Sequence, residues 1–117
     1  MTIKREDLDA GRIDFSDVAT GRRLPTIHPG AILRDDFLAP MAISVYALAK
    51  AIGVQRSRVN DVVRGRRGIT TDTALRLARY FGTTPEFWLR LQTRHDLEVG
   101  KRALAKRIAR EVRPRAA

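Results

Sequence analysis

The chain has 117 residues, the size of one domain, with 44% apolar and 31% charged residues, which argues against a disordered tail and allows one well-buried core. Its 23 Lys and Arg outnumber 13 Asp and Glu, a net charge of +10 with a pI near 11.3, so an acidic partner is expected: nucleic acid, an anionic membrane or an acidic protein. The absence of cysteine excludes disulfides, thiol nucleophiles and Cys-ligated metal modules.

In chain order, residues 1–24 mix charges with isolated apolar residues (Ile3, Leu8, Ile13, Phe15, Val18) and keep no period, as expected of a flexible N-terminal arm. The segment from Leu24 to Gly30 holds two prolines and reads as an extended lead. Five helices follow. The first spans about Gly30 to Leu38, with Ile32, Leu33 and Phe37 on one side and Pro40 as its expected end. The second starts at the N-cap Ser44, is expected to bury Ala47, Leu48, Ala51 and Ile52, and stops at Gly53. The third covers about Arg56 to Arg64, with Gln55 in the cap position and Gly65 beyond its end. The fourth starts at Thr70 or Thr71 with Asp72 in its first turn, is expected to bury Ala74, Leu75, Leu77, Ala78 and Phe81, and ends at Gly82. The fifth starts at Thr84 with Pro85 at its first position and Glu86 beside the positive end of the dipole; Phe87, Trp88, Leu89 and Leu91 close the core. Helix continues to about Ala109, with Gly100 as a candidate break, and Leu97, Leu104, Ile108 and Val112 form one narrow apolar stripe. The expected fold is all-α, divided into an arm at 1–24, a helix-turn-helix domain at 25–97 and a basic helical tail at 98–117.

The charge is unevenly distributed. Residues 1–43 carry six basic and seven acidic groups, 44–68 carry six and one, 69–93 three and two, and 94–117 eight and three. The middle block surrounds a short helix. Ser44 to Arg67 has the order helix, Gly53-Val54-Gln55 turn, helix, which is the pattern of a helix-turn-helix whose second member enters a DNA major groove. At about 100° per residue, Val59, Val62 and Val63 share one side of that helix. The other side carries Ser57, Asp61 and Arg64, with Asn60 on its flank and Arg56 projecting from the first turn. Short polar and forked basic groups suit base edges and phosphates, whereas docking into a protein groove needs apolar anchors. Arg64, Arg66 and Arg67 lie where they reach flanking phosphates, and the helix start at Ser44 offers backbone N–H groups to another. An ordinary αα-hairpin with a basic surface shares the same spacing; the Gly53 stop, the charge block and the polar face favour DNA.

Other chemistries find no support. His28 and His95 lack zinc-site spacing and read as a turn residue and a solvated helix residue, and none of the three serines lies in a nucleophile-elbow pattern. The acids Glu6, Asp7, Asp9, Asp14 and Asp17 lack the spacing of a calcium loop. No metal, cofactor or small-molecule substrate is expected, and the chain is not expected to be an enzyme. No apolar run reaches the roughly 18 residues of a membrane span, and the start MTIKREDLDAGR is unlike a secretion signal, so a cytoplasmic location is expected.

Three stretches carry a family resemblance: HPGAILRDDFLAP, ALAKAIGVQRSRVNDVVRGRRGIT and, most specifically, TTDTALRLARYFGTTPEFWLRLQTRHDL. Over about residues 24–97 the sequence resembles the HigA-type antitoxins, within the phage-repressor-like helix-turn-helix proteins. The resemblance implies a five-helix domain that dimerises, binds a palindromic operator in its own promoter and neutralises a HigB-like toxin, a small ribosome-dependent mRNA endonuclease. By position it implies base reading at Arg56, Ser57 and Asp61 and phosphate contact at Gln55, Arg64 and Arg66, with Asn60 beside them. The sequence departs from the pattern at Val45, where relatives place a phosphate-contacting Gln, and at Gln55, where Ser or Thr is usual. Asp61 faces a polyanion and either accepts from a cytosine or pairs with Arg58 or Arg64. The stripe from Leu97 to Val112 is read as a contact with a second copy or with the toxin, against packing on its own domain. Ile13-Asp14-Phe15, within the acidic stretch of the arm from Glu6 to Asp17, is a further docking candidate. Two rival functions are a stand-alone phage-type repressor and a protein-interaction module that no longer binds DNA.

Overall fold

The computed structural model describes residues 26–116, so the arm expected at residues 1–24 lies outside the described residues. Five helices in succession build one core, and four of them begin where a side chain (His28, Ser44, Thr70 or Thr84) supplies a missing backbone partner.

Helix α1 occupies residues 29–41 as three consecutive segments: α-helix Pro29–Ile32, π-helix Leu33–Leu38 and α-helix Ala39–Met41. His28 caps it, its Nδ1 accepting from the Gly30 N–H at 2.9 Å. Pro40 does not end this helix as expected. The turn before it widens, with the Ala39 N–H donating to the Arg34 carbonyl five residues back, which relieves the ring's pressure on the preceding turn. The chain leaves the helix at Ala42, in the left-handed region with φ 55°.

Helix α2 is Val45–Ile52, with the Ser44 Oγ accepting from the Ala47 N–H at 3.0 Å. It buries Leu48, Ala49 and Ile52, while Ala47 and Ala51, expected inside, are exposed. Gly53 ends it at φ 74°, and the Arg76 guanidinium donates to the Ile52 carbonyl at 2.8 Å, satisfying an acceptor at the negative end of the helix.

Helix α3, Arg56–Val63, seats Val59 and Val62 in the core with Val63 half-buried beside them. Helix α4, Thr71–Phe81, is capped by Thr70 and buries Thr73, Ala74, Leu77 and Ala78. Leu75, expected inside, is 53% exposed. Helix α5, Pro85–Glu111, is capped by Thr84, whose Oγ1 accepts from the Phe87 N–H at 3.1 Å.

Trp88 on α5 is fully buried and centres the core. Its ring lies 4.9 Å from those of Phe37 and Phe87 and 6.2 Å from that of Phe81, distances at which tilted aromatic pairs attract. Its Nε1 donates to the Thr83 Oγ1 at 2.8 Å, so burial leaves no orphaned polar atom. Helix α5 runs through Gly100 without a break, and all residues from 101 to 110 are exposed. The described residues extend 52 × 31 × 24 Å as a result.

Candidate nucleic-acid interface

Helix α3 is held from beneath and at its C-terminal end. Below, Val59 and Val62 are 3% and 1% exposed. At its C-terminal end Gly30 of α1 lies directly against the Val62 carbonyl; a Cβ at position 30 would stand 1.7 Å from that oxygen. The chain then turns through Gly65 to Ile69, whose N–H donates to the Gln92 Oε1 of α5 at 2.6 Å. These contacts leave the upper side of α3 uncovered.

On that side, Gln55, Arg56, Ser57, Arg64 and Arg66 are exposed, and Asn60 and Asp61 are half-buried. Arg56, Arg64 and Arg66 form no ion pair among the described residues, so their charges are available to an anion. Gln55 holds the extended cap conformation of α3, but its side chain makes no capping hydrogen bond and is left to the surface. The exposed Ser44 occupies the start of α2, where the N–H groups of the first turn point outward.

Asp61 differs from its expected pairing with Arg58 or Arg64. Its carboxylate meets Arg67, with Oδ2 3.7 Å from Nη2, and its carbonyl accepts from the N–H groups of Arg66 and Arg67 at 2.8 and 3.2 Å. The end of α3 thus folds back on itself and fixes the direction of the exit loop. Arg58 is used elsewhere: it reaches Asp72 on α4 at 2.5 Å, where Arg76 also bonds at 3.0 Å. The Arg58 guanidinium, followed by that of Arg76, holds the Asp72 carboxyl below the usual carboxylate range. Val45 is half-buried and packs on the core, so that position adds no polar contact to the surface.

Sequence reasoning passed over Tyr46. Its side chain is 60% exposed in the first turn of α2, two residues from Ser44. Its position off the buried row of Val45, Leu48, Ala49 and Ile52 was the available signal.

The two histidines, expected as a turn residue and a solvated helix residue, meet, and His95 is half-buried. Their rings pack edge to face at 4.8 Å, joining the lead into α1 to α5, and the His28 ring also flanks Gly65. No group of three or more metal-ligating side chains comes together among the described residues.

A short helix seated on valines, reached by a three-residue turn from a capped helix and bare on its upper side, defines the helix-turn-helix class. A helix-turn-helix family model matches residues 38–88. The chain is 55% identical over 78 residues to virulence-associated protein I of Dichelobacter nodosus, covering 67% of this chain and 72% of that one. It is 44% identical over 71 residues to antitoxin HigA-1 of Vibrio cholerae, covering 61% and 67%. Among solved structures it is similar to the Pseudomonas aeruginosa antitoxin HigA with the higBA promoter, at 47% identity and a TM-score of 0.76, covering 79% of this chain and 100% of that one. The chain belongs to the HigA family of helix-turn-helix antitoxins, a non-enzymatic family.

Proposed function

We propose that this chain is a cytoplasmic, homodimeric antitoxin that binds a palindromic operator in its own promoter and neutralises a HigB-like mRNA-cleaving toxin. The observation that carries the DNA-binding reading is the uncovered upper side of α3: two valines face the core while Arg56, Ser57 and Arg64 face outward. The similar Pseudomonas aeruginosa antitoxin, whose structure holds the higBA promoter, supports it.

In this reading α3 enters the major groove by its N-terminal turn. Arg56 and Ser57 read base edges there, with Asp61 and Asn60 behind them. Gln55, Arg64, Arg66 and Arg67 hold phosphates on the flanks, and the start of α2 at Ser44 binds another. Subunit pairing uses the exposed stripe of Leu97, Leu104, Ile108 and Val112 on the tail at residues 98–117 and the end of the preceding domain. The toxin meets the arm at residues 1–24.

The test is co-expression with the neighbouring open reading frame, pull-down, and a shift assay on DNA from upstream of the operon. Co-purification with a small basic protein and a salt-sensitive shift are the expected results. Arg56→Ala is expected to cost roughly 1–3 kcal/mol at a single base position. Replacing Arg64 or Arg66 is expected to weaken all sequences alike. A full set of shifts unchanged by Arg56→Ala would remove that residue from base reading.

A further inference from the structure

The half of α5 beyond the core carries two opposed faces. With successive residues about 100° apart, Leu104 and Ile108 fall on the side of Leu97. Arg102, Lys106 and Arg110 fall within about 60° of His95, on the opposite side. His95 and Gln92 are the residues through which α5 meets the end of the recognition helix: His95 against His28, whose ring flanks Gly65, and Gln92 against Gly68 and the Ile69 N–H. The cationic row therefore starts at the junction where Arg64, Arg66 and Arg67 emerge. From His95 to Arg110 it runs about 22 Å, at 1.5 Å per residue.

Arg102 has a partner of its own, but beyond it the row is poorly neutralised. Between residues 101 and 116 seven Lys and Arg accompany one acid, Glu111, and that acid bonds Arg107 at 3.0 Å. Lys106 and Arg110 have no hydrogen bond or ion pair among the described residues. Arg102, Lys106 and Arg110 stand four apart, where like charges weaken a helix, and this stretch has no core packing to offset that. A linear polyanion relieves the repulsion. Duplex DNA carries a charge about every 1.7 Å along its axis, so each cation of a row spaced about 6 Å apart finds a phosphate within reach.

We propose that this face of α5 is a second, sequence-independent contact with the DNA backbone, continuing the phosphate grip of the Arg64–Arg67 loop onto duplex flanking the operator. The proposal rests on the DNA-binding reading above. The apolar stripe on the other side stays available to a second copy, so pairing and phosphate contact do not compete.

The experiment compares the full chain with an Arg102→Gln, Lys106→Gln, Arg110→Gln variant by fluorescence anisotropy across a salt series. The probes are the upstream promoter fragment and a random-sequence duplex of equal length. Glutamine keeps the helix and the apolar stripe while removing charge. The log–log salt slope is expected to fall by about 2–3 per chain on both probes, with their affinity ratio unchanged. A variant retaining all three charges as lysine is expected to keep the wild-type slope. An unchanged slope in the glutamine variant, or a slope that falls only because sedimentation shows loss of assembly, overturns the proposal. A wild-type chain that binds neither probe overturns the DNA reading itself, a different result.

Discussion

Gly30 tests whether α1 and the recognition helix really touch through backbone alone. In Gly30→Ala the new Cβ would lie 1.7 Å from the Val62 carbonyl oxygen and 2.7 Å from its carbon. Real Cβ atoms essentially never come within 3.0 Å of such neighbours, so the helices must separate by about 1.3 Å or the chain must bend. No side-chain rotation can relieve the overlap, because the obstructing atoms are backbone. Overpacking of this kind costs about 3 kcal/mol, while alanine's better helix propensity returns about 1 kcal/mol. The overlap wins, and a net loss near 2 kcal/mol is expected, a fall in melting temperature on the order of 8–16 °C. Gly100→Ala is the matched control: the added Cβ meets nothing within 4 Å in mid-helix, so only the propensity gain remains, about 0.5–1 kcal/mol of stabilisation. Thermal and urea denaturation of both variants measure the two signs. If Gly30→Ala is as stable as the parent, the close packing of α1 on Val62 is refuted.

Two further outcomes follow from the same junction. Gln92→Ala removes the acceptor of the Ile69 N–H beside a side chain only 3% exposed, and the donor to Asp96, and is expected to destabilise by about 1–3 kcal/mol in urea unfolding. For His28, burial and then the neighbouring His95 lower its pKa from 6.5, with Asp96 opposing. The unfolded chain then binds more protons between the two values, so stability is full above about pH 6.5 and declines as pH falls toward the folded value. His28→Asn keeps a capping acceptor and is expected to flatten that part of the stability–pH curve; a slope identical to the parent's would assign it to another group.

The boundaries of this fold were legible residue by residue because caps act locally. Ser44, Thr70 and Thr84 each accept from an N–H three residues on, and Gly53 and Gly82 take the left-handed conformation, so a few neighbouring letters decide each end. The polar side of α3 was equally legible: three valines at helical spacing select one side, and the rest must face out. Which individual residues of α2 and α4 lie inside was less so. Ala49 rather than Ala47 or Ala51 is buried, and Leu75 is exposed, because the width of the buried stripe depends on the angle at which neighbouring helices cross. Asp61 meeting Arg67, Arg58 meeting Asp72 and His28 meeting His95 are contacts across a turn or between helices, and nothing in local spacing selects among the available partners. Pro40 marks the same division. Its missing N–H and rigid ring are local facts, but the widened turn that carries α1 past it also seats Leu33, Phe37 and Leu38 in the assembled core, a gain that local sequence does not show.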